Sequence, residues 1–62
     1  MVMKYKVKAK LKGNRTMRVV YDGKSMPMMI STAARMMDSD DVTECYVTIF
    51  DYYGKEEIAR CK

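Results

Sequence analysis

The 62 residues allow a single small domain, 1–62, and exclude a multidomain enzyme. An apolar share of 48% excludes wholesale disorder, while the absence of His removes the commonest general base. A chain this short buries only about 60% of the surface it exposes when unfolded, so its own core is marginal. The net charge of +4 conceals an asymmetry. Residues 1–35 carry nine Lys/Arg against Asp22 alone, giving +8, and residues 36–62 carry three against seven acids, giving −4. Such a split fits a basic face for an acidic partner or nucleic acid, or two halves that attract one another.

The first predicted element is a strand from Met3 to Lys12. Side chains on a strand alternate between faces. Met3, Tyr5, Val7, Ala9 and Leu11 therefore share one face, and Lys4, Lys6, Lys8, Lys10 and Lys12 share the other. Gly13 to Arg15 reads as a three-residue hairpin loop. That length pairs Leu11 with Met17 and Ala9 with Val19, which keeps the apolar face continuous and sends Arg18 and Val20 to the lysine face.

Ser25 reads as a helix N-cap, with Pro27 in the first turn of a helix that ends near Met37. Most of the eight methionines are expected to fill the core. Met26, Met29, Ile30, Ala33, Met36 and Met37 form the expected buried stripe, with Ser31, Thr32 and Arg35 outside. Asp38 to Asp41 lack calcium-loop spacing and read as a turn.

The last third predicts a second hairpin. Residues 42–50 are rich in β-branched and aromatic side chains, and Asp51-Tyr52-Tyr53-Gly54 has the makeup of a type I turn followed by a bulge glycine. A three-residue loop then places Cys45, Val47, Ile49, Ala59 and Cys61 on one face. Tyr46, Thr48, Phe50, Ile58 and Arg60 fall on the other. The order ββαββ predicts an α+β fold: a four-stranded, mainly antiparallel sheet with one helix packed on one face.

Catalytic chemistry is sparse. Cys45 and Cys61 lie sixteen residues apart on apolar-alternating positions, which makes buried, inert thiols the expectation. The two cysteines fall short of a tetrahedral metal set, and the isolated glycines form no phosphate loop, so no cofactor and no metal are expected. No long apolar run predicts a membrane span, and the N-terminus lacks the apolar stretch of a secretory leader, which implies a cytoplasmic protein with reduced thiols.

The functional expectation rests on the uncovered sheet face. Lysines there would keep a bare face soluble, or guard an edge strand against pairing. Neither role explains large apolar groups beside them. Lys4, Lys6, Lys8, Lys10, Arg18, Tyr46, Phe50, Ile58 and Arg60 are the candidate binding residues. They suit a non-enzymatic module that binds a protein partner or a second copy of itself. The alternative is nucleic acid, with lysines on phosphates and aromatics on bases, although the element order is not that of an RNA-recognition module. In size and layout the chain is similar to small accessory proteins of phages and mobile elements.

Overall fold

The computed structural model describes residues 3–62 and has the expected α+β architecture. β1 spans Lys4–Leu11, β2 Arg18–Gly23, α1 Met26–Asp38, β3 Val42–Phe50 and β4 Glu56–Arg60. The sheet order is β2-β1-β3-β4, with each neighbouring pair antiparallel. The lysine-bearing β1 is thus a central strand, and protection of a sheet edge is not the purpose of its lysines.

The β1–β3 register sets Tyr5 opposite Ile49, Val7 opposite Val47 and Ala9 opposite Cys45. These residues face the helix, and Val7, Ala9 and Cys45 are fully buried. The helix contributes Met29, Thr32 and Ala33 to the core, with Met36 half-buried beside them. That set recurs at the three- and four-residue spacing of one helix face. It lies to one side of the expected stripe. Met26, Ile30 and Met37 are exposed, and Thr32, expected outside, is 3% exposed. The Thr32 hydroxyl donates to the Met28 carbonyl at 2.8 Å, so a polar side chain enters the core with its hydrogen bond made.

Both helix ends are tied down. The Ser25 hydroxyl accepts from the Met28 amide at 3.3 Å, and Pro27 occupies the first turn as expected. The Ser25 amide donates to the Tyr21 hydroxyl at 3.0 Å. This packs the Tyr21 ring tightly over Gly23, where an added Cβ would lie 2.9 Å from the ring carbon bearing the hydroxyl. At the other end the Lys62 ammonium donates to the Ser39 carbonyl, placing a cation at the negative end of the helix dipole.

The β3–β4 hairpin follows the expected parity. Asp51 and Lys55 close a three-residue loop through a 3.0 Å backbone bond, and Gly54 takes the left-handed conformation at φ 82°. The Asp51 carboxylate accepts from the Tyr53 and Lys55 amides at 2.8 and 2.9 Å, which holds the turn.

The β1–β2 hairpin differs from expectation. Its register sets Ala9 opposite Arg18 and Lys8 opposite Val19, skips one residue, and resumes with Val7 opposite Tyr21. A β-bulge at Val20, rather than loop length, restores the apolar pairing. Val20 consequently packs against the core. Arg18 shares the side of Ala9, and Val19 takes the place opposite Lys8 expected for Val20.

α1 lies over β1, β2 and β3 and does not reach β4. No helix among the described residues is long and apolar enough to cross a membrane.

Candidate functional site on the open sheet face

The face opposite the helix is built by alternation. Lys4, Lys6, Lys8 and Lys10 project from β1 and stand opposite Phe50, Thr48, Tyr46 and Glu44 of β3. β4 adds Glu56, Ile58 and Arg60, opposite Phe50, Thr48 and Tyr46. β2 adds Asp22 opposite Lys6 and Val19 opposite Lys8. Eight of the nine expected residues therefore share one surface. Arg18 is the exception, because the bulge at Val20 reverses its parity.

Adjacency of β1 and β3 interleaves cations with aromatics from different hairpins. The Lys6 ammonium sits 5.6 Å from the Phe50 ring centroid, and the Arg60 guanidinium lies 5.8 Å from that of Tyr46. These distances are in the range of cation–π attraction. Thr48, between Lys6 and Ile58, is only 5% exposed, so its long neighbours close over the middle of the face. Ile58 is 63% exposed and stays open to contact.

Carboxylates temper the charge at the margins. Lys4 pairs with Asp22 at 3.4 Å and Lys10 with Glu44 at 3.6 Å. Both pairs are solvent-accessible and contribute little to stability. The Tyr46 hydroxyl donates to Glu44 Oε1 at 2.9 Å. That bond, reinforced by Lys10, holds the Glu44 carboxyl below its usual range, and the same bond pushes the Tyr46 phenol up. Tyr46 thus remains a neutral donor fixed along the face. Lys6, Lys8 and Arg60 make no salt bridge among the described residues, so their charge is left for an external anion, with the Arg60 Nε donating to the Lys62 carbonyl at 2.9 Å.

Asp22, Glu44, Glu56 and Val19 also belong to this surface, beyond the residues that the sequence points to. Glu44 and Glu56 are legible, since they share parity with Tyr46 and Ile58. Asp22 follows from the expected loop parity, which already sets it opposite Lys6, whereas Val19 depends on a bulge that leaves no mark in the sequence.

The thiols belong to the opposite side. The Cys61 amide donates to the Cys45 carbonyl at 2.8 Å, which sets the two residues side by side across β3 and the chain end, and both thiols are free. Burial, and secondarily the neighbouring Cys61, push the Cys45 thiol up. An inert Cys45 follows, because the thiolate is the reactive form. A maleimide reagent at neutral pH is expected to modify Cys61 at least roughly tenfold faster than Cys45. Equal rates, read by mass spectrometry of the labelled peptides, would contradict this burial.

Among the described residues no cavity forms and no three metal-ligating side chains converge. The chemistry on offer is that of a surface: fixed cations, aromatic rings and one large exposed aliphatic side chain. Comparison with known proteins gives no match, whether to a family model, a curated protein or a solved structure.

Proposed function

We propose that the chain is a non-enzymatic binding module whose open sheet face docks onto an acidic protein surface. One observation carries this reading: a lysine row on a central strand, beside Tyr46 and Phe50, on the face that the helix leaves bare. Lys4, Lys6, Lys8, Lys10 and Arg60 outnumber Asp22, Glu44 and Glu56 on that face by five to three. Such a surface steers acidic partners toward it and repels another basic face. A second copy is therefore a poor occupant of this particular surface, because the two faces would carry charge of the same sign. Phe50, Tyr46 and Ile58 supply apolar contact once the partner has arrived.

A specific observation also favours a second reading. Lys6 over Phe50 and Arg60 over Tyr46 join cations to stacking rings, the combination used to hold single-stranded nucleic acid. The separation of lysines and aromatics in sequence disappears in the fold.

Fluorescence anisotropy with a labelled oligoglutamate peptide and a labelled single-stranded oligonucleotide, at low and high salt, tests both readings. Tighter binding of the peptide supports the acidic-protein reading, and preference for the oligonucleotide supports the second. Failure to bind either probe at low salt would overturn both.

A further inference from the structure

The two edges of the sheet are built differently. β2 is distorted by its bulge, which twists an edge away from external pairing. β4 pairs with β3 in an unbroken register from Glu56 to Arg60, contains no proline, and is exposed at every residue. Because α1 does not reach β4, the helix does not cover this edge. A strand could approach there without meeting the helix.

Hydrogen bonding shows which backbone groups face outward. The Asp51 amide donates to the Lys55 carbonyl, and the Cys61 amide donates to the Cys45 carbonyl. Inward bonding in an antiparallel ladder recurs every second residue, so Glu57 and Ala59 also bond toward β3. Glu56, Ile58 and Arg60 therefore direct their N–H and C=O groups away from the sheet.

We infer that β4 pairs antiparallel with β4 of a second copy about a two-fold axis at Ile58, joining two sheets into one of eight strands. The charges select this register. With Ile58 opposite Ile58 of the partner subunit, Glu56 stands opposite the partner's Arg60, and Arg60 opposite the partner's Glu56. All three outward-bonding residues of one chain meet those of the other. Shifting the axis to Glu57 would set two like charges face to face, which is unfavourable. Shifting it to Ala59 would oppose Ile58 to Arg60 and leave Glu56 beyond the strand.

Acidic residues at an edge ordinarily discourage pairing. Here Arg60 turns that device into a selective one, since of the three registers only the Ile58 one offers each Glu56 a cation within the paired strands. The pairing also keeps both open faces on one side of the joined sheet and both helices on the other. It joins the two copies backbone to backbone along the strand edge, bringing the Glu56, Ile58 and Arg60 side chains of the two open faces side by side without stacking one face on the other, and so goes beyond the binding role proposed above.

Sedimentation equilibrium tests the inference independently of any ligand. The native chain is expected to show a mass of two chains at high concentration and one on dilution. Arg60→Glu and Glu56→Arg, each placing like charges opposite one another, should each weaken the dimer at least roughly tenfold. The double variant, Glu56→Arg with Arg60→Glu, should restore it, and Ile58→Lys should abolish it. Far-UV circular dichroism confirms that each variant is folded. A native chain that stays monomeric at every concentration would overturn the proposal. So would a dimer that the single reversals leave intact, or one that the double reversal does not restore.

Discussion

Val7→Ala is expected to lower the thermal midpoint by roughly 10 °C, whereas Ile30→Ala should barely move it. Val7 is fully buried and stands between Val47 on β3 and Tyr21 on β2, under the helix. Removing its two methyl groups forfeits about 0.8 kcal/mol per group in transfer alone, and the remaining cavity raises the loss to about 2 kcal/mol. Domains of this size have only about 3–5 kcal/mol of core stability in hand. Each kcal/mol corresponds to about 4–8 °C of midpoint. Ile30 also reads as a core residue in sequence, yet it is 56% exposed on the flank of α1. Its truncation to alanine leaves no enclosed void and improves helix propensity, so the change should stay within about 0.5 kcal/mol. Thermal melts followed by circular dichroism compare the two directly. A larger loss at Ile30 than at Val7 would mean that the helix is rotated relative to the sheet.

The other large effect concerns charge on the open face. Replacing Lys6 and Lys8 together by Glu changes the net charge by four, from +4 to zero. On the face itself, five cations and three carboxylates become three and five. Binding of the oligoglutamate peptide should fall by more than roughly tenfold at low salt, since attraction is replaced by repulsion. The difference should shrink as ionic strength rises and the screening length falls below about 10 Å. Lys24→Glu with Arg35→Glu makes the same change in net charge at exposed positions on a loop and on the helix. That pair should keep most of the affinity. Equal losses from the two double variants would show that overall charge, and not this face, governs the interaction. Fold stability should suffer little. The main local attraction that the change removes is that of the Lys6 ammonium for the Phe50 ring, worth about 0.5–1 kcal/mol at an exposed site.

What the sequence reveals follows from how strongly each segment is constrained. Strict alternation in β1 leaves no other reading of its two faces. Alternation in β3 likewise commits Cys45 and Val47 to the core and Tyr46 and Phe50 to the outside. The Asp51–Gly54 turn carries its own chemistry, so the register of β4 follows. β2 lacks such a constraint, because a single extra residue at Val20 reverses the parity of Arg18 and Val19 without any compositional sign. Helix phase is ambiguous for a different reason. Met and Ala occur around most of α1, and a threonine that satisfies its hydroxyl on Met28 can enter the core as readily as a methionine. The adjacency of β1 and β3 is beyond the reach of element order, and it is what places Lys6 on Phe50 and Lys8 opposite Tyr46.

The open face is the centre of this account, and a backbone-amide NMR titration with unlabelled oligoglutamate tests it most directly. Perturbed resonances should cluster at Lys6, Lys8, Tyr46, Thr48, Phe50, Ile58 and Arg60. Perturbation centred instead on Met28, Ile30 and Arg35 of the helix would locate recognition on the other side of the molecule and contradict the account.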